Sequence, residues 1–133
     1  MKKRYFFPAL FLGLLMIIGA SLPRKNLDRI QESSILLGII FSDFSLHFFA
    51  FAIFTACLTH GFYRLRNRNI PYFLIGLIAL SFALFIEFYQ IFIPSRGSSL
   101  FDLIPGVSGT IFALIMFKIF ISPRFEHNKK HNF

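Results

Sequence analysis

Residues 5–22 run for 18 positions without a charged side chain, and three further stretches of similar length follow them. At 1.5 Å per residue a helix of that length reaches about 27 Å, close to the ~30 Å hydrocarbon core of a bilayer. In hydrocarbon every backbone amide must find its partner within the protein, so repeated runs of this kind leave the helix as the form that crosses. Apolar residues fill 56% of the 133 positions, 21 of them Phe, and only 15% are charged. Soluble domains carry roughly 45–50% and about 25%, and so short a chain would leave much of its excess apolar surface in water. Composition therefore excludes a soluble globule and a disordered tail.

The expected fold is all-α: one domain over residues 1–133, with spans at about 5–22, 44–63, 71–93 and 100–121 in a compact four-helix bundle. The first stretch, behind Met1-Lys-Lys-Arg4 and carrying Gly19 and Ser21 near its end, also has the features of a secretory leader. Its length and the membrane-embedded character of the remaining chain favour a retained span. Residues 23–34 read as a polar loop, and 35–41 as an interfacial or re-entrant piece too short to cross. A second span starting near Ile35 would strand Asp43 and His47 close to mid-bilayer, where a charge costs at least ~2.5–3.5 kcal/mol, so the start belongs at Phe44. Pro71 opens the third span at a position that needs no amide donor. Residues 94–99 read as a tight turn, Lys118 as a snorkelling cation near the end of the fourth span, and 122–133 as a polar tail. One small-residue pair falls on each span: Ala9 and Gly13, Ala52 and Ala56, Ala79 and Ala83, Gly109 and Ala113. Such pairs let helix backbones approach in lipid.

The net charge of +8 invites a nucleic-acid reading. The cations instead flank the apolar runs, as they do at membrane spans, so no nucleic acid is expected. With the N-terminus inside, Lys2, Lys3, Arg4, Arg64, Arg66, Arg68, Lys118, Arg124, Lys129 and Lys130 face the cytoplasm, against Arg24, Lys25, Arg29 and Arg96 outside. Basic residues near span ends are retained on the cytoplasmic side, so both termini are expected inside. Arg64, Arg66 and Arg68 then hold orientation and meet anionic headgroups.

This topology gathers the polar residues of the spans at the outer end: Asp43 and His47, Glu87 and Gln90, then Arg96, Ser99 and Asp102. Asp43 and His47 are one helical turn apart, and Glu87 and Gln90 share a face. The Asp43 carboxylate is expected to fix the His47 ring. Glu87, six residues inside Ile93 and roughly 9 Å deep, must face the bundle interior or a wet cavity. Arg96 offers a guanidinium fork suited to phosphate or carboxylate. No helix carries the Glu-x-x-His or His-Glu-x-x-His spacing of metal-binding bundles and zincins, and no glycine pattern fits a nucleotide or dinucleotide site, so neither metal nor cofactor is expected. No Ser, Thr or Cys stands in a recognisable nucleophile motif, and Cys57, the single cysteine, reads as a small apolar packing residue.

The string Asp43-Phe-Ser-Leu-His47-Phe48-Phe-Ala-Phe51, followed by Glu87-x-x-Gln90-x-Phe92-x-Pro94-x-Arg96-x-x-Ser99-x-x-Asp102 and Gly109, resembles the VanZ-like family of small bacterial membrane proteins. That family's pattern is similar to Asp-Lys-x-x-His-Phe-x-x-Tyr/Phe in one helix and Glu-x-x-Gln-x-Phe-x-Pro-x-Arg-x-x-Ser-x-x-Asp-x-x-x-Asn-x-x-Gly across the next hairpin. The resemblance covers about residues 40–117, with Phe44 in place of the family's usual lysine and Gly106 in place of its asparagine. It implies a multi-pass protein of the bacterial cytoplasmic membrane, tied to low-level resistance to teicoplanin-type glycopeptides. Taken with the residues, it points to a non-enzymatic protein whose outward polar notch (Asp43, His47, Glu87, Gln90, Arg96, Ser99, Asp102) engages membrane lipid, a cell-wall precursor or a lipoglycopeptide. The alternatives are an assembly subunit of a larger membrane complex and an interfacial hydrolase with Glu87 or His47 as general base.

Overall fold

The computed structural model describes residues 2–22, 35, 39, 42–65, 70–93, 101 and 103–121. A 3₁₀ turn over Lys2–Phe6 leads into α1 (Phe7–Ser21). Then come α2 (Asp43–Leu65), α3 (Tyr72–Gln90) and α4 (Leu103–Met116), the last running into a π-helical turn at Phe117–Ile121. Among the described residues four segments, Arg4–Ser21, Asp43–Leu65, Tyr72–Gln90 and Leu103–Phe120, are long and apolar enough to cross a bilayer. The chain is a multi-pass membrane protein with an all-α, four-helix fold.

Local chemistry explains where these helices begin. The first turn of a helix has amides with no intrahelical acceptor, so proline is tolerated there. Pro8 and Pro105 sit in the first turns of α1 and α4, and Pro71 immediately precedes α3. α2 starts differently: Ser42 Oγ accepts from the Ser45 amide at 3.2 Å, a side-chain cap, and Asp43 adds a carboxylate to the positive end of the helix dipole. That cap separates α2 from the preceding segment, of which only Ile35 and Ile39 are described, both helical and exposed. The expected loop at 23–34, the turn at 94–99 and the tail at 122–133 lie outside the described residues.

The third span ends earlier than expected. Beyond Gln90 the backbone tightens, the amides of Ile91, Phe92 and Ile93 donating to the carbonyls of Phe88, Tyr89 and Gln90 at 3.3, 3.1 and 3.1 Å. Pro94 comes next, and the residue before a proline is pushed out of the α region. Glu87 consequently sits one turn from the end of α3 rather than two.

Helix directions alternate. The end of α1 meets the end of α3 through Ser21 and Tyr89, and the start of α2 meets the end of α3 through His47 and Glu87. At the opposite end, Gly61 of α2 packs on Phe6 and on the Tyr5 carbonyl, and the Tyr63 ring lies 6.0 Å from that of Phe117. Arg64 stands over the Tyr5 ring at 5.6 Å, a cation–π contact at the same end.

The interior is aromatic as well as small. Phe51 and Phe54 of α2 meet Phe82 of α3, the last two stacked at 4.9 Å, and Phe51 is 1% exposed. The phenylalanines are therefore not only a lipid-facing exterior. Ala9 and Gly13 turn the small face of α1 onto this cluster, where a Cβ at Gly13 would lie 3.4 Å from the Phe54 ring. Ala79 and Ala83 are buried on α3, and half-buried Cys57 packs against the same core. Outward-facing Phe7, Leu10, Phe11, Leu14, Phe73 and Phe88 are all more than half exposed, as side chains that face hydrocarbon rather than water.

The tightest crossing joins α2 and α4 at Gly109. A Cβ there would collide with the Phe48 carbonyl oxygen and lie 3.0 Å from the Phe48 carbonyl carbon and 3.1 Å from the Ala52 nitrogen, all backbone atoms. Only glycine permits that approach. One turn earlier, a Cβ at Gly106 would meet the Phe51 ring at 3.1 Å.

Candidate functional site

Among the described residues the structure brings Asp43, His47, Glu87 and Gln90 to one end of the bundle. Arg96, Ser99 and Asp102 lie outside the described residues. His47 projects from the second turn of α2 and is half-buried; Glu87 and Gln90 project from the last turn of α3 and are 7% and 3% exposed. Glu87 thus faces the interior, where an intramembrane carboxylate belongs.

His47 is held at both ring nitrogens. Nδ1 lies 2.9 Å from the Asp43 backbone carbonyl, and Nε2 lies 3.6 Å from Oε1 of Glu87. A carbonyl only accepts, so Nδ1 carries a proton. Nε2 then faces the carboxyl group of Glu87 either with its lone pair or with a second proton. At 3.6 Å the contact is an ion-pair distance rather than a direct hydrogen bond. The main-chain carbonyl of Asp43 orients the ring, because His47 lies four residues on and reaches back down the helix.

Two polar links were not expected from the sequence. Ser21 Oγ, which donates to the Ile17 carbonyl at 2.8 Å, also lies 2.9 Å from Tyr89 Oη and ties the end of α1 to α3, two residues beyond Glu87. Deeper in the bundle Thr55 Oγ1 donates to Thr110 Oγ1 across 3.3 Å, and Thr59 Oγ1 donates to the Thr55 carbonyl at 2.7 Å. Thr55 and Thr59 are fully buried. Their signal in the sequence was the four-residue spacing of two hydroxyls inside an apolar run, which places both on one face.

As a chemical device, the polar end is a buried carboxyl group beside an oriented imidazole, at one end of the spans. It can offer charge or hydrogen bonds to a polar group. Against models of protein families, curated proteins and solved structures, the chain matches none.

Proposed function

We propose that this is a VanZ-like protein of the bacterial cytoplasmic membrane, non-enzymatic, whose polar end binds the polar part of an envelope lipid, a cell-wall precursor or a glycopeptide antibiotic. The supporting observation is the 3.6 Å approach of His47 Nε2 to Glu87 Oε1 from two helices, at the same end as the Ser21–Tyr89 link. Ionisable residues inside a span are costly and mark binding or transport pathways. The ordered run from Glu87 to Asp102 supplies the resemblance, with Arg96 as the cation for an anionic group and Ser99 and Asp102 completing the notch on the outer face.

Two departures from the family pattern belong to this reading. Phe44 is exposed where the family has a lysine, so it supplies no countercharge. At Gly106 the space that an asparagine side chain would take is closed by the Phe51 ring. In the notch of this chain His47 faces Glu87 at 3.6 Å.

The test is susceptibility to a teicoplanin-type antibiotic in cells carrying wild type, Glu87→Gln or Arg96→Ala, with the membrane level of each protein measured alongside. Wild type is expected to raise the tolerated concentration and both variants to lose the effect at normal protein level. A wild type that gives no protection, or variants as protective as wild type, overturns the reading.

A further inference from the structure

Among the described residues charge is sorted by end. Lys2, Lys3, Arg4, Arg64 and Lys118 lie where the 3₁₀ turn meets the close of α2, and both acids, Asp43 and Glu87, lie at the opposite end of the bundle. Arg4, Arg64 and Lys118 are exposed, and none of the three forms an ion pair among the described residues. The dipole at the end of α2 offers about half a unit of negative charge, too little to offset the group.

Two of these cations are brought to one corner by packing. Gly61 lets the 3₁₀ turn press onto α2: a Cβ there would lie 2.8 Å from the Phe6 ring and 3.0 Å from the Tyr5 carbonyl oxygen. The rings of Phe6 and Phe62 meet edge to face at 5.1 Å and close the joint. This docking sets the Tyr5 ring under Arg64, whose guanidinium carbon is 5.6 Å from the ring centre, and Arg4 is the next residue along the turn. Depth then says which anion can reach the corner. Arg4 opens the first apolar span and Arg64 stands one residue from the close of the second, so in a bilayer both lie at the level of the headgroup phosphates.

We propose that this corner is a site for one anionic phospholipid, with Arg4 and Arg64 holding its phosphodiester and Tyr5 as the residue that positions the Arg64 fork. A guanidinium meets phosphate with two parallel N–H donors while its plane rests on a ring; a lysine ammonium is a point charge without that fork. A diffusely basic membrane flank would need neither Tyr5 nor the docking at Gly61. The site stands at the far end from His47 and Glu87 and is independent of the function proposed for them.

The experiment is native mass spectrometry of the full chain released from detergent with phosphatidylglycerol or phosphatidylcholine at equal concentration. Phosphatidylcholine carries the same phosphodiester with its own ammonium group, and is the control. Wild type is expected to retain one phosphatidylglycerol and little phosphatidylcholine. A cation at an anionic surface is worth roughly fivefold in affinity, so Arg64→Gln should lower phosphatidylglycerol binding by at least about that factor. Arg64→Lys, which keeps the charge and loses the fork, should fall nearly as far, as should Tyr5→Leu. Lys118→Gln removes a charge from the same end, beside the Tyr63–Phe117 contact, and should bind as wild type does. Arg64 is exposed, so Arg64→Lys leaves the core untouched and decides the matter even where Tyr5→Leu detaches the turn.

Equal retention of the two lipids, Arg64→Lys binding like wild type, or Lys118→Gln losing as much as Arg64→Gln would reduce the corner to a diffuse basic flank and overturn the proposal. Displacement of the lipid by inorganic phosphate would overturn it as well, since the site would then be one for a small anion.

Discussion

At the scale of single residues, glycine marks how close two helices come. Gly109 resembles a motif position, and the structure supplies a packing reason for it: the Phe48 carbonyl occupies the place of its missing Cβ. Gly109→Ala is expected to cost about 1–3 kcal/mol, the range for overpacking a well-fitted interface, because the obstacle is backbone rather than a side chain that can swing away. Unfolding in mixed detergent with SDS measures it; a midpoint equal to wild type would show that α2 and α4 are not in contact there. His47 and Glu87 teach the converse. Both residue types and their helical faces were legible, and the sequence pointed to a polar cluster, yet the partner of each ring nitrogen was not. A side chain four residues along a helix can reach either the carboxylate or the carbonyl of the earlier residue, and only coordinates distinguish them.

At the scale of elements, the helices read well and their ends less so. Apolar runs of about twenty residues, two of them free of charge, announced four spans, and the expected limits of 44–63 against Asp43–Leu65 differ by a residue or two. The end of α3 came three residues early, where the backbone tightens ahead of Pro94 over residues that look as apolar as the helix before them. Element-scale coupling is testable at the Ser21–Tyr89 link, the hydrogen bond that joins α1 to α3. Tyr89→Phe should weaken that junction by about 0.6 kcal/mol, the average for a hydrogen bond between transmembrane helices. Hydrogen exchange at the last turn of α1 should then rise about threefold, with α2 and α4 unchanged. Unaltered exchange there would mean that packing of Ala9 and Gly13 against the aromatic cluster holds α1 by itself.

At the scale of the whole molecule, the alternating helix directions and the distribution of Lys and Arg make one joint prediction. In a Cys57→Ala background, Lys3→Cys and Lys130→Cys are expected to resist a membrane-impermeant thiol reagent added to intact cells, while Arg24→Cys reacts. The opposite pattern would put the His47–Glu87 end on the cytoplasmic side and remove it from contact with cell-wall chemistry. Permeabilised cells supply the positive control for all three.

The linear order of residues was enough to establish the solvent and the element: long uncharged runs can lie only in hydrocarbon, and in hydrocarbon a lone segment satisfies its amides only as a helix. Those are local properties, readable one stretch at a time. The order of polar residues along the chain also sufficed to gather them at one end, because alternating helices carry position into depth. Which faces meet was left to the packed molecule. In lipid no contrast between apolar core and apolar solvent marks the buried side of a helix, so hydropathy is silent about rotation, and contact is set by shape: a glycine opposite a carbonyl, two threonines at one depth, three phenylalanines packed between α2 and α3. The meeting of His47 with Glu87 and the docking of the 3₁₀ turn at Gly61 are consequences of that fit.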